Sequence, residues 1–370
     1  MDSVFSLFFY LVLAVLSFAI TNSAQKYEKK HLLWIPIFLL ALVAGLRDST
    51  VGVDTANYLK MIPYHDRMEL QAVDREYLFY YIAVCIFRIF GDVQPMFFIF
   101  GLLIYALIFF RIWDFRDTAN LGIAAAMFTL FYFGGTMNTF RQYIALAIAF
   151  YMTRYLRQER YLLYFAGVVT AMLFHISAIV CLIFPAFYIG LHWKYTLRQI
   201  LYLSCLVIGS IPAVYIFLSN YGSYLDDVKE TDFGLMSVVR LIMLAGCYIL
   251  CSRPGRLHTA LSAQSRSIGL ETEAVIHPPK SVFADSSSFR FIFIVSLFGM
   301  VLGLASAFID FASRAGYYFR IFDIVFWGMV FQKKQMDLSL RLFLLLVLAV
   351  LGAYSLWTYA GVIPYHTVFR

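Results

Sequence analysis

Apolar runs separated by short polar or basic turns recur along the whole chain, at 4–20, 32–46, 77–90, 95–113, 119–134, 140–157, 161–174, 176–191, 197–218, 235–251, 290–309, 315–331 and 339–358. The pattern predicts an all-α, polytopic integral membrane protein of about 12 transmembrane helices with one further, re-entrant segment. Several runs fall short of the ~20 residues that cross hydrocarbon unaided, so some must be tilted, broken or extended into the neighbouring turns. The first run ends at TNSAQKYEKKH with no convincing small-residue cleavage site, and another run follows at once. It is therefore expected to remain as a membrane helix rather than be removed as a signal peptide.

Composition agrees with this reading. Hydrophobic residues make up 62% of the 370, aromatic residues 19% and charged residues only 14%, whereas soluble domains carry about 25% charged residues. The net charge of +7 comes largely from Lys and Arg in short loops, which orients helices rather than gripping nucleic acid. By that rule the turns holding Lys26, Lys29 and Lys30, Arg111 and Arg116, Arg154, Arg157 and Arg160, Lys194 and Arg198, Arg253, Arg256 and Arg266, and Lys333 and Lys334 face the cytoplasm. From Arg116 onward the alternation closes. Before it, three runs separate two basic loops, and the short run Tyr77–Phe90, with Arg88 near its end, is expected to dip into the membrane from outside without crossing. Both chain ends and the polar stretch 47–76 then lie outside. All five cysteines sit in apolar runs, which suggests neither a disulfide framework nor a metal site, and Cys247 and Cys251 read as packing residues. The Ser-rich segment 252–289, with its Pro-Pro pair, reads as a flexible cytoplasmic connector. No internal repeat and no second domain are required, so residues 1–370 form one transmembrane domain.

Three polar clusters share the outer side of this arrangement. In GLRDSTVGVDTANY (45–58), Gly52 permits a sharp turn, and Asp54 is placed to cap a helix carrying Asn57 and Tyr58. Asn138, Arg141 and Gln142 fall on one helical face at the mouth of an apolar run, and His175 is the only ionisable side chain between Arg160 and His192. In DFASRAGYYFRIFD (310–323), Asp310, Arg314, Tyr317 and Tyr318 form a stripe. Arginines recurring at membrane mouths suit an anionic ligand, because their planar, permanently charged forks match phosphate geometry. Each residue also has a plainer reading. Arg47 and Arg314 fit arginines that snorkel to headgroups or pair with Asp48 and Asp310. His175 fits a histidine satisfied by Ser177 or a carbonyl, and Asp54 a mere helix cap.

The stretch GLRDSTVGVDTANY resembles the R-x(3–4)-VG-x-DT-x-x-Y signature of the EpsG/Wzy group of bacterial polysaccharide polymerases. NTFRQYIALAIAF and MLFHISAIV resemble that group's N-x-x-RQ and FH-x-SA elements, and SRAGYYF resembles its late R-x-x-x-YF element. The four matches occur in the family's order and reach from about residue 45 to 320.

The resemblance implies a GT-C-like membrane glycosyltransferase joining repeat units carried on undecaprenyl pyrophosphate, at the outer face of a bacterial inner membrane. Its expected partners are the lipid-linked oligosaccharide as donor and acceptor, membrane lipid and a chain-length regulator protein. Such chemistry needs cations for the departing pyrophosphate and a base for the attacking hydroxyl. Arg141 and Arg314 are expected at the pyrophosphate, with Arg47 supporting the lipid carrier or acceptor. Asn138, Gln142, Tyr58 and Tyr318 would orient substrate. His175 is the first candidate for the base and Asp54 the second. No acidic pair suggests a divalent ion, so no cofactor or metal is expected. A lipid-linked oligosaccharide flippase or exporter, a non-catalytic assembly scaffold, an O-antigen ligase-like transferase and a glycan acyltransferase are the competing readings.

Overall fold

Helix is the regular structure throughout the computed structural model, which describes residues 2–68, 76–192, 235–252, 281–305, 310–333, 336–358 and 361–369. The helices are α1 (Ser3–Lys26), α2 (Trp34–Gly45), α3 (Thr55–Arg67), α4 (Tyr77–Phe90), α5 (Gln94–Trp113), α6 (Leu121–Phe131), α7 (Phe133–Asn138), α8 (Phe140–Met152), α9 (Arg154–Arg157) and α10 (Tyr161–Phe174). After the 3-10 helix Ile176–Ile183 come α11 (Phe184–His192), α12 (Leu235–Ser252), α13 (Ser281–Ala305), α14 (Asp310–Arg320), α15 (Asp323–Gln332) and α16 (Leu338–Thr358). Helices α1, α5 and α16 are each long and apolar enough to cross a membrane, and several shorter apolar helices accompany them. The chain is a membrane protein, as its apolar runs require. Leu162, Val169, Leu346 and Val350 are among the many large apolar side chains left on the surface, where lipid rather than water suits them.

Three expected runs turn out to be broken helices. The run 119–134 divides at Tyr132 into α6 and α7, the run 140–157 divides at Thr153 into α8 and α9, and the run 315–331 divides at Ile321–Phe322. Two of these breaks satisfy one another. The Tyr132 hydroxyl lies 2.7 Å from the Arg320 carbonyl and 2.7 Å from Asp323 Oδ1, and Arg240 pairs with the other Asp323 oxygen. A carboxylate with no exposed surface is tolerated inside an apolar bundle only when so paired. The expected run 197–218 and the loop after it lie outside the described residues. The connector at 252–289 is shorter than expected, because residues 281–289 already belong to α13.

Polar contacts collect at the two ends of the bundle. At one end the loop after α2 meets both chain termini. Arg47 and Thr367 form an antiparallel bridge, the Asp48 amide donates to the His366 carbonyl at 2.9 Å and the Val368 amide to the Leu46 carbonyl at 3.0 Å. Ser6 Oγ near the N-terminus accepts from the Tyr365 amide at 2.9 Å. At the opposite end Gln25 binds the carbonyls of Arg116 and Ala119, Asp114 accepts from Arg111 and Arg154, and Lys333 donates to the Cys251 carbonyl. Helix α4 starts and finishes at the first of these ends. Glu76 precedes it beside Arg141, and Gln94, four residues beyond it, binds the carbonyls of Gly45 and Arg47.

The loop between α2 and α3 is folded tightly enough to need glycine. Gly52 has φ +86°, and a Cβ there would run into the Met137 carbonyl and stand 2.9 Å from Thr55 Oγ1. Its amide donates to the Gly361 carbonyl at 2.6 Å, so the turn also receives the C-terminal tail. Gly52→Ala is expected to lower stability by about 1–3 kcal/mol through left-handed strain alone, before the contact with Met137 is counted. Thermal unfolding in detergent checks this, and a midpoint equal to that of the unsubstituted protein contradicts it.

Candidate functional site

The three polar residues of the α7–α8 junction diverge because the helix breaks between them. Thr139, with φ −95° and ψ 59°, separates Asn138 from Arg141 and Gln142, so the single shared face expected from their spacing does not form. Asn138 Oδ1 accepts from the Val53 amide at 2.9 Å and fixes the α2–α3 loop. Gln142 Nε2 donates to the Arg314 carbonyl at 2.7 Å and ties α8 to α14. Both amides thus hold the scaffold around Arg141.

Arg141 stands between them in a polar and aromatic cage. Its Nε donates to the Tyr58 hydroxyl at 3.2 Å, and its Nη1 donates to the Tyr80 hydroxyl at 3.0 Å and to the Glu76 carboxylate. The rings of Tyr58, Phe79 and Tyr80 lie 5.6–5.9 Å from the guanidinium carbon, within the range at which a cation is drawn to a ring. The Arg141 side chain keeps 29% of its surface exposed, whereas that of Glu76 keeps 9%. The cation is held, yet one side of it faces outward.

His175 terminates α10 and faces the same carboxylate. Its backbone is extended, at φ −157° and ψ 120°, and its ring caps the following 3-10 helix. Nδ1 accepts from the Ser177 amide at 3.3 Å and lies 2.6 Å from Ser177 Oγ, which is 3.0 Å from the Tyr318 hydroxyl. An accepting Nδ1 places the ring proton of the neutral imidazole on Nε2, and Nε2 lies 3.5 Å from Glu76 Oε1. The plainer reading, a histidine satisfied by Ser177, therefore describes one ring nitrogen, and the other looks into the arginine cage. Tyr318, expected to orient substrate, closes a chain of contacts that runs Tyr318, Ser177, His175, Glu76, Arg141.

The remaining candidates sort by burial. Asp54 occupies the position before α3, but its side chain makes no capping bond. The charges of Arg141 and Arg314 both act on its carboxyl, which brings all three sequence clusters to one place. Arg47 is a separate case. It has no exposed surface; its Nε donates to Thr55 Oγ1 at 3.0 Å, its Nη1 to the Ala44 carbonyl at 2.8 Å, and its guanidinium carbon lies 3.9 Å from the Phe97 ring centre. Enclosed by Phe97 and Phe140, it fastens the end of α2 to the start of α3, while its Nη2 makes no hydrogen bond. The side chain of Asp310 lies outside the described residues, and Tyr317 turns toward Tyr143, 5.9 Å away, rather than toward the cage.

Glu76, Tyr80 and the contact of Ser177 with Tyr318 were not apparent from the sequence. Glu76 is 65 residues from Arg141, and only the packing of α4 and α10 on one another brings it to His175. One local signal existed: it is an acid standing directly before an apolar run on the side where the arginines gather. Its backbone is left-handed at φ 58°, a conformation that a non-glycine residue holds only when its surroundings impose it. Among the described residues no three His, Cys, Asp or Glu side chains converge as a metal site would require.

The EpsG family model matches residues 30–367, nearly the whole chain. No curated protein and no solved structure matches it.

Burial raises the Asp54 carboxyl above its ordinary value of 3.8, against the pull of Arg141 and Arg314. A raised value in the folded state favours the protonated acid. The corresponding stabilisation is complete below the unfolded value and is lost as pH rises through the folded one. Asp54→Asn, which never ionises, is expected to be at least as stable as the unsubstituted protein at neutral pH, with the difference shrinking as the acid is titrated. Unfolding temperatures in detergent across this range test the sign; an Asn variant less stable at neutral than at acid pH, relative to the parent, contradicts it.

Proposed function

The chain belongs to the EpsG family, and from that membership and the cage around Arg141 we propose that it is a polysaccharide polymerase acting on lipid-linked repeat units. The donor is a glycan on undecaprenyl pyrophosphate and the acceptor a second such glycan, joined at the outer face of a bacterial plasma membrane. The observation that carries this reading is a partly exposed arginine, held by two tyrosines and an acid, within one contact of a buried histidine. That pairing offers a seat for a pyrophosphate leaving group beside a proton acceptor.

In the step proposed, the acceptor hydroxyl oxygen forms a bond to the donor's anomeric carbon as the bond from that carbon to the pyrophosphate oxygen breaks. Negative charge accumulates on the departing pyrophosphate. Arg141 and Arg314 stabilise it there, where a fixed cation lowers the barrier because it interacts more strongly with the transition state than with the ground state. The hydroxyl proton passes through Tyr318 and Ser177 to His175 Nδ1; the two hydroxyl oxygens lie 3.0 Å apart and Ser177 Oγ lies 2.6 Å from Nδ1. Glu76 faces the opposite nitrogen and favours the imidazolium that results. Asp54, whose burial already raises its affinity for a proton, is the alternative base. Asn138 and Gln142 act through the scaffold, and Tyr58 through Arg141.

Purified protein in nanodiscs, given a synthetic repeat unit on undecaprenyl pyrophosphate, is expected to make a ladder of polymer in the presence of EDTA. Arg141→Ala and His175→Ala are each expected to slow it by roughly 10²–10³-fold while remaining folded. A parent protein that makes no ladder but moves the lipid across a vesicle overturns the polymerase in favour of an exporter. Full-length polymer left unattached in a deletion strain, rather than single repeat units on the carrier, favours a ligase-like transferase.

A further inference from the structure

Glu76 faces both Arg141 and His175 with one carboxylate, and it meets them unequally. Oε2 is bonded to Arg141 Nη1, whereas Oε1 stays 3.5 Å from His175 Nε2, beyond the 2.7–3.2 Å of a formed N–H···O bond. The acid is committed to the arginine and only adjacent to the histidine. Its side chain is 9% exposed and that of His175 10%, so this carboxylate and this ring meet with little water between them. Arg141, at 29% exposed, is the member of the trio that a ligand can reach.

We propose that Glu76 is an exchangeable counter-ion: it occupies Arg141 when no donor is bound, and an arriving pyrophosphate displaces it onto His175. The argument is one of charge. An arginine cannot discard its proton, so in this cage it requires an anion, and Glu76 supplies one from within the chain. A pyrophosphate brings more negative charge to the same guanidinium and repels the carboxylate. Displaced, Glu76 has the Nε2–H of His175 beside it, 3.5 Å from its Oε1. A carboxylate bonded there orients the imidazole and stabilises its cationic form, as the buried acid does in hydrolase triads. Donor binding and readiness of the base are thereby coupled, and no proton leaves an acceptor hydroxyl until a leaving group is seated. Glu76 is a positioning residue in this scheme, since it acts through Arg141 and His175 and touches neither sugar.

The inference rests on the polymerase reading, but its binding half can be measured apart from polymerisation. The probe is a short-chain prenyl pyrophosphate titrated into the protein in nanodiscs, followed by repeat-unit turnover under the same conditions. Glu76→Gln, nearly the same shape without the charge, removes the competitor. It is expected to bind the probe about 3–10-fold more tightly and to turn over at least 10-fold more slowly. Glu76→Asp is expected to recover part of the turnover while keeping the weaker binding of the parent. A merely structural acid would give the opposite pattern in binding: Glu76→Gln would loosen Arg141 and weaken the probe. Weaker or unchanged binding in Glu76→Gln overturns the exchange, and tighter binding with unchanged turnover overturns the coupling to His175. A parent protein that binds the probe but makes no polymer sinks the polymerase reading instead, and the sign of the Glu76→Gln change in affinity still decides the exchange.

Discussion

A permanent cation placed among aromatic side chains has to be neutralised, and the arrangement around Arg141 is the consequence. Tyr58 comes from α3, Glu76 and Tyr80 from the start of α4, and the arginine itself from the first turn of α8. These elements are remote in sequence and have few other polar reasons to meet. The ion pair is partly buried, and neither member is solvated well enough to survive alone at little cost. Its demand therefore fixes where α4 begins, which in turn sets the only carboxylate seen beside His175 among the described residues. The cage is thus assembled around an anion supplied by the chain itself.

The same constraint operates deeper in the bundle with a different result. Asp323, Arg240 and Tyr132 close on one another where α6 meets α7 and α14 meets α15, and Asp323 has no exposed surface. That cluster ties the two helix breaks together, with its carboxylate paired inside the bundle. Arg47 is similarly held, by Thr55, the Ala44 carbonyl and the face of Phe97. Arg47 and Arg141 differ in exposure: Arg47 has none, and Arg141 retains a face. Gly52 and the C-terminal tail matter here because they hold the loop that carries Asp54 against the α7–α8 junction.

Much of the fold was legible, because an apolar run with no charge in it has few alternatives to a buried or lipid-facing helix. The breaks at Tyr132 and Ile321 were not. The chain stays apolar through them, and the groups that satisfy them, such as Asp323 for Tyr132, arrive from far along the sequence. The site was legible in part. Arg141, His175, Tyr58 and Tyr318 could be singled out since each is a polar group that a membrane makes costly, and the structure brings the four into one connected set. The burial of Arg47 against aromatic rings of α5 and α8 was not legible, because no local pattern connects them to it. Glu76 was missed because an acid at a loop end is ordinary in sequence, and its meaning lies in partners on α8 and α10.

The measurement that bears most directly on this account is a cryo-EM structure in nanodiscs with undecaprenyl pyrophosphate bound. The expected result is phosphate density against the exposed face of Arg141, with Arg314 beside it and the Glu76 carboxylate moved to within hydrogen-bonding distance of His175 Nε2. Phosphate density elsewhere, with Glu76 still on Arg141, would contradict the claim that this cage is the donor site.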